Sequence, residues 1–260
     1  NDEQHNSVFA WCKKNKLSLI STAFDEASCE MLMKYNPDAF KIASFDAVNL
    51  PLIKFVASKR KPIILSTGMC GMGEIEEALD VIASQDNKDV ILLHCVSVYP
   101  TDIKDVNLKA MTTMKNAFKT PTGYSDHTIG NTVSNAALAM GANIIEKHFT
   151  LNKKLPGPDH IMSMNPVELK KFIFEIKNTC KLLGEKEKTV LNCEKENFKK
   201  LKKSLVSKIK IEKGRKINLS MITAKRPGTG IQANNLRLII GKKAIRNIPN
   251  NTILKHNMFK

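Results

Sequence analysis

Short apolar runs alternate with longer amphipathic stretches over the first 150 residues of the chain. Runs of about four to eight residues, rich in Val, Ile and Leu and bounded by turn residues, are typical of strands buried on both faces of a parallel sheet. Their alternation with helical segments indicates βα units and an α/β fold. The predicted strands are Leu17–Phe24, Phe40–Ser44, Pro62–Thr67, Val90–Val96, Gly123–His127 and Asn143–Phe149.

Helical periodicity separates these strands and also precedes and follows them. The predicted helices are Val8–Lys16, Leu50–Ser58, Gly73–Ser84, Asn107–Phe118, Thr132–Met140 and Pro166–Leu183. A closed parallel barrel needs eight strands in roughly 250 residues, whereas six predicted strands fit here into about 150. We therefore expect a TIM (βα)8-type barrel that lacks its first two βα units, which would precede Asn1. An open doubly wound sheet is the alternative, although no Gly-x-Gly-x-x-Gly turn follows a predicted strand.

The chain changes character after Leu183. Residues 184–200 are charged and polar and predict a linker. Beyond them, short β-like runs are separated by Gly, Pro and Asn turns, which is typical of a small β-rich domain. We therefore expect a partial barrel over residues 1–183, a linker over 184–200 and a second domain over 201–260.

The net charge of +16 comes entirely from residues 199–260. Residues 199–260 hold 17 of the 41 basic residues and one of the 25 acidic ones, so 24 bases are balanced by 24 acids upstream. Such a region could steer anionic substrates or bind a polyanion, but it lacks interleaved aromatic residues that would stack on nucleic acid bases. A lysine-rich solvated surface is the alternative, and we expect no nucleic acid partner.

Cysteine spacing and hydropathy favour a cytoplasmic protein. No run of about 18 apolar residues occurs, and residues 1–7 are polar, so we expect neither a membrane span nor a signal peptide. The six cysteines form no Cys-x-x-Cys pair, which favours reduced thiols over a disulfide frame or a zinc site. They are Cys12, Cys29, Cys70, Cys95, Cys180 and Cys193.

Two histidines stand out at the ends of neighbouring predicted strands. Strand alternation places Ser125 and His127 on one face, and Glu146 and His148 on one face. If both faces point into the barrel, the two imidazoles approach each other. Two neutral imidazoles with open positions can hold a divalent ion such as Mn²⁺, which would act as a Lewis acid on a carbonyl oxygen. The alternative is that each histidine is only hydrogen-bonded at a strand end.

Hydroxyl groups and one lysine occupy other predicted strand ends. In a βα barrel the carboxyl ends of the strands converge on the active site. Together with backbone N–H groups at helix starts, these side chains suit a small phosphate or carboxylate ligand. Taken singly, each serine could instead be a helix cap. The residues are Thr22, Lys41, Ser44, Ser66, Ser97 and Ser125.

Seven sequence strings, in this order, resemble one family. They read FKIASFD, KPIILSTGM, LLHCVSVYP, GYSDHTIG, ANIIEKHFTL, PGPDHIMSMNP and KRPGTGI. The chain resembles the sialic acid synthases, with the related legionaminic and pseudaminic acid synthases. The resemblance implies a barrel followed by an antifreeze-like (SAF) domain. It also implies a homodimer in which the small domain reaches over the partner's barrel.

The resemblance also implies roles for individual residues. His127 and His148 would be ligands of a Mn²⁺ or Mg²⁺ ion. Lys41, Glu146 and Asp46 would be catalytic residues, where Asp46 replaces a glutamate of the family pattern. The phosphoenolpyruvate site would consist of Thr22, Lys41, Ser44, Ser66, Ser97 and Ser125. The amino sugar would meet Tyr99, Glu146 and Asp159, and Arg226 would reach its N-acyl group from the other subunit.

The implied reaction condenses phosphoenolpyruvate with an N-acylated amino sugar of the N-acetylmannosamine type, releasing phosphate and a nonulosonic acid. Two departures leave its details open. The family's first two strands carry a glutamate, a lysine and a glutamine that would precede Asn1. Furthermore, KIASF resembles the pseudaminic branch, whereas PGPDH and KRPGTGI resemble the sialic and legionaminic branches. A pseudaminic acid synthase, a catalytically inactive remnant and a polyanion-binding protein are the alternatives.

Overall fold

The computed structural model describes residues 2–260. It contains two compact units, one reaching to Gly184 and the other comprising Glu185–Lys260. No helix among residues 2–260 is long and apolar enough to cross a lipid bilayer.

A six-stranded parallel sheet forms the centre of the first unit. Its strands are hydrogen-bonded in sequence order, each to the next. A doubly wound sheet reverses its strand order, so this order is that of a βα barrel and excludes the open-sheet alternative. The strands are β1 (Ile20–Thr22), β2 (Ala39–Ile42), β3 (Ile63–Ser66), β4 (Val90–Cys95), β5 (Thr122–Asp126) and β6 (Ile145–Lys147).

Helices connect the strands, as the alternation predicts. They are α1 (Asp2–Lys14), α2 (Glu26–Met33), α3 (Leu50–Ser58), α4 (Met72–Ala83), α5 (Lys109–Phe118), α6 (Thr132–Ala139) and α7 (Pro166–Leu183). The sequence pattern missed α2, because its eight residues were too few to show a clear period. Its start is nevertheless marked by Asp25, whose carboxylate accepts a hydrogen bond from the backbone N–H of Ser28 at 2.6 Å.

The core of the first unit lies between the sheet and its helices. Phe40, Ile63, Leu65 and Leu92 are completely buried and pack against apolar residues of α3 and α4. All four residues of β3 are buried, as expected for a strand covered on both faces. This packing leaves the carboxyl ends of the strands as the place where polar side chains can meet.

The second unit is small and rich in short β segments. It comprises α8 (Lys195–Leu201) and an antiparallel pair of strands, β7 (Ser204–Ser207) and β8 (Ile222–Lys225). Isolated antiparallel bridges extend this arrangement toward Phe259, around a core of its own that includes Leu205 and Leu254. The segment predicted as a linker includes most of α8, because Lys195–Leu201 has enough consecutive helix formers to close two turns.

Candidate active site

A polar network joins four strands at their carboxyl ends. The ammonium group of Lys41 on β2 donates to the hydroxyl of Ser66 on β3 at 2.6 Å and lies 3.6 Å from a carboxylate oxygen of Glu146 on β6. The other oxygen of Glu146 accepts from the hydroxyl of Ser125 on β5 at 2.6 Å. Strands β2 and β6 are four positions apart, about 19 Å in a flat sheet. The contact between Lys41 and Glu146 therefore shows that the sheet curves toward a barrel wall.

The two histidines meet beside this network. The rings of His127 and His148 are 5.4 Å apart, so they approach each other as strand alternation predicted, and they are nearly perpendicular. His127 is buried, and its Nδ1 lies 2.7 Å from the carbonyl oxygen of Val96, to which it donates its proton. Its Nε2 lies 3.4 Å from the hydroxyl of Ser125. Because the hydrogen bond to Val96 places the proton on Nδ1, Nε2 carries the lone pair of the ring and faces the network.

The residues present fit a divalent cation. Burial lowers the pKa of His127, more than its hydrogen bond to Val96 raises it, so the ring is neutral near pH 7 as a metal ligand must be. His148 Nδ1 lies 3.8 Å from a carboxylate oxygen of Asp159. No cluster of three or more His, Cys, Asp or Glu side chains suited to a metal occurs in residues 2–260. A bound ion would thus be held by two imidazoles, with its other positions open to water or substrate.

A second group of predicted residues surrounds Gly68, just after β3. The backbone N–H of Gly68 donates to the hydroxyl of Ser44 at 3.0 Å, and that hydroxyl lies 3.1 Å from the Cys95 sulfur. A methyl group on Gly68 would lie only 2.3 Å from the Ser97 hydroxyl. Ser44 and Ser97, far apart in sequence, therefore converge on one buried backbone position. Neither Gly68 nor Cys95 was predicted, since their contact depends on the register between β3 and β4, in which Ser66 pairs with Leu93.

The remaining predicted residues are placed as follows. Thr22 is paired in register with Lys41 on the neighbouring strand. Asp46 lies just after β2, where one carboxylate oxygen accepts from Asn49 and the other is buried without a partner in the described structure. The half-exposed ring of Tyr99 lies 4.2 Å from that of His127. Arg226 belongs to the second unit, where its Nε donates to the Leu201 carbonyl at 3.1 Å.

Behind the site, the opposite faces of β5 and β6 carry a buried ion pair that sequence reasoning did not single out. The ammonium of Lys147 lies 2.9 Å from the carboxylate of Asp126, with side chains that are 5% and 0% exposed. In the sequence, Asp126 lies between Ser125 and His127, and Lys147 lies between Glu146 and His148. The strings SDH and EKH contained the signal, since both place a charged residue on the face that packs against helices.

Sequence comparison identifies the family. The profile of the NeuB family matches residues 1–188, and that of the SAF domain matches residues 202–260. The chain belongs to the NeuB family. As NeuB relatives, N,N'-diacetyllegionaminic acid synthase of Campylobacter jejuni is 42% identical over 96% of the chain and 76% of its own length. Pseudaminic acid synthase of Helicobacter pylori is 36% identical over 97% of the chain and 74% of its own length.

A solved structure of a NeuB relative agrees with the fold. The N-acetylneuraminic acid synthetase of Leptospira borgpetersenii, determined in complex with citrate, matches with a TM-score of 0.71 at 34% identity. The match covers 76% of this chain and 69% of that one. The fold is thus a barrel-type sheet followed by an SAF domain, and the relatives are synthases of nonulosonic acids.

Proposed function

We propose that this NeuB protein condenses phosphoenolpyruvate with an N-acylated amino sugar to give a nonulosonic acid and inorganic phosphate. The observation that carries the proposal is the network of Lys41, Ser66, Glu146 and Ser125 beside the two histidines. It combines a cation and hydroxyl donors for an anionic substrate with a carboxylate and two imidazoles. Relatives named as legionaminic, pseudaminic and sialic acid synthases support this reaction class.

The reaction joins two carbon atoms and releases one phosphate. The methylene carbon of phosphoenolpyruvate attacks the aldehyde carbon of the sugar, whose oxygen takes up a proton. Water then adds to the neighbouring carbon, which bears the phosphate, and gives up a proton. The bond between that carbon and the phosphate oxygen breaks, which leaves a ketone and inorganic phosphate. Lys41, at 12% side-chain exposure, would bind the anionic substrate, with Ser66 and the serines around Gly68 donating hydrogen bonds. Low exposure strengthens such charge interactions. Thr22 would extend this anion site from the neighbouring strand.

His127 and His148 would hold a Mn²⁺ or Mg²⁺ ion. When bound, the ion would supply Lewis acidity for the sugar's aldehyde oxygen. The hydrogen bond between His127 and Val96 would keep the ring oriented. The Asp159 carboxylate, 3.8 Å from His148 Nδ1, is beyond direct hydrogen-bonding distance and would face the sugar rather than hold the ring.

The acceptor sugar would lie on the side of Tyr99, Glu146 and Asp159. The buried oxygen of Asp46 that has no partner in the described structure supports the proposed catalytic role of this residue, since it is free to accept from a substrate group. We propose an N-acetylmannosamine-type sugar, as in the sialic and legionaminic branches. Arg226 of a partner chain would contact the N-acyl group in a homodimer. We propose a cytoplasmic location, since all six cysteines are free.

Binding and turnover measurements test these assignments separately. Calorimetry with Mn²⁺ should show one site on the wild type and none on His148→Ala, whereas His256→Ala, an exposed histidine of the second unit, should bind normally. Lys41→Met should weaken phosphoenolpyruvate binding and leave Mn²⁺ binding intact. Phosphate release should require the amino sugar. Identical Mn²⁺ curves for wild type and His148→Ala would refute the metal site, and unchanged phosphoenolpyruvate binding by Lys41→Met would refute the anion site.

A further inference from the structure

The buried ion pair of Asp126 and Lys147 lies directly behind the candidate metal site. The two residues are register partners on β5 and β6. Because side chains alternate along a strand, their sequence neighbours on either side belong to the opposite face, which carries the polar network. Asp126 and Lys147 thus directly precede His127 and His148 in the chain, and no hydrogen bond or ion pair joins the pair to either ring in the described structure.

Both oxygens of the Asp126 carboxylate and two of the three donors of the Lys147 ammonium have partners within the protein. The carboxylate of Asp126 accepts from the backbone N–H of Thr128 at 2.8 Å, from its hydroxyl at 2.7 Å and from the hydroxyl of Ser134 on α6. The ammonium of Lys147 also donates to the Thr128 carbonyl at 2.6 Å. The pair therefore ties together the ends of both strands, the loop that follows β5 and the helix that packs behind it.

Stability alone is a weak reason for such a pair. Burying two charges costs several kcal/mol per ion in desolvation, and apolar residues of similar size often serve the stability of a fold equally well. A charged pair, unlike an apolar one, fixes direction, because its hydrogen bonds are satisfied in one arrangement only. Here the pair fixes the rotation of two strand ends. The end of β5 carries Ser125 and His127, and the end of β6 carries Glu146 and His148.

The ring of His148 forms no hydrogen bond in the described structure, whereas its backbone carbonyl accepts from the N–H of Met164 at 2.8 Å. The β5–β6 ladder ends at the pair of Asp126 with Lys147, so both histidines lie beyond its last register partners. The ring of His127 is held by its hydrogen bond to Val96, at 2.7 Å. For the ring of His148, the nearest charged group is Asp159 at 3.8 Å, beyond hydrogen-bonding distance.

We propose that Asp126 and Lys147 are positioning residues, which hold the imidazoles of His127 and His148 at the separation that a divalent cation requires. The inference rests on the metal site proposed above. Partners behind metal ligands typically change metal affinity by roughly 10- to 100-fold when they are removed. We expect an effect of this size from the pair, although it acts through the backbone rather than through a hydrogen bond to either ring.

Three variants separate positioning from stability. Lys147→Met leaves the Asp126 carboxylate buried beside an apolar chain, and should lower both the melting temperature and the Mn²⁺ affinity. The double variant Asp126→Asn/Lys147→Met removes both charges, while the amide oxygen can still accept from Thr128 and the amide NH2 can donate to the Ser134 hydroxyl, so its melting temperature should recover. Its Mn²⁺ affinity should stay at least tenfold below wild type. Lys59→Met, which breaks an ion pair between α2 and α3, should leave Mn²⁺ affinity unchanged.

A second readout needs no metal. The histidine ring protons should show a cross-relaxation signal between His127 and His148 in the wild type, as their 5.4 Å ring separation allows. This signal should weaken in the double variant. A double variant with wild-type Mn²⁺ affinity and an unchanged signal would overturn the proposal and leave the pair a purely structural role. A wild type that shows the signal but binds no Mn²⁺ would refute the proposed metal site instead, and with it this role.

Discussion

Gly68 offers a sharp test of the predicted anion site, because its lack of a side chain leaves room for three others. A methyl group at this position would lie 2.3 Å from the Ser97 hydroxyl and 2.9 Å from both the Ser44 hydroxyl and the Cys95 sulfur. Each distance is below van der Waals contact, so the neighbouring side chains must move. Gly68 is not among the glycines with positive φ, so alanine meets no backbone strain there and the effect is steric.

The expected cost follows from these contacts. Overpacking a buried position by one methyl group costs about 1–3 kcal/mol. Loss of the hydrogen bond from the Gly68 N–H to Ser44 would add about 1 kcal/mol. Because Ser44 and Ser97 are both assigned to phosphoenolpyruvate, moving them should also weaken its binding. We expect Gly68→Ala to raise the dissociation constant by at least tenfold, which corresponds to about 1.4 kcal/mol.

Calorimetric titration with phosphoenolpyruvate measures this effect, and Gly73→Ala is the matched control. Gly73 lies in α4, and a methyl group there would meet no atom within 4 Å. Alanine at this position should stabilise the protein by about 0.5–1 kcal/mol through helix propensity and leave binding unchanged. If Gly68→Ala is folded and binds phosphoenolpyruvate as tightly as Gly73→Ala does, Ser44 and Ser97 do not form the anion site.

Two further predictions concern stability and charge. Burial lowers the pKa of His94 below its ordinary value of 6.5, so the unfolded state binds more protons and the free energy of unfolding should fall as the pH drops below about 6.5. Denaturant unfolding of His94→Gln should show a flatter pH dependence, and equal slopes would contradict the assignment. If the basic residues of 199–260 bind polyanions, retention on heparin should fall steeply with salt. Weak retention with little salt dependence would favour a solvated surface.

The strand ends show how much the sequence could predict. Alternation along β5 and β6 was enough to place Ser125, His127 and Glu146 on one side, because a strand has a period of two residues. Apolar runs likewise located all six strands of the first unit, although the structure shortens several of them. Such local patterns depend only on neighbours in the chain.

Features that depend on distant contacts were not predictable in this way. Gly68 lies beside Cys95 because β3 and β4 are paired, and Ser44 and Ser97 reach this position because the loops after β2 and β4 approach the end of β3. The pairing of Asp126 with Lys147 requires the register between two strands, which no single run of sequence contains. Helix α2 was missed for another reason, because eight residues are too few to show a clear helical period.

The division into two units, each with its own apolar core, has a consequence for how unfolding can be observed. The single tryptophan, Trp11, and the three tyrosines, Tyr35, Tyr99 and Tyr124, all lie in the first unit. Intrinsic fluorescence therefore reports on the barrel unit alone, whereas calorimetry detects heat from both units. A fluorescence transition that matches only part of the calorimetric one would assign the remaining heat to the SAF domain, without any label or truncation.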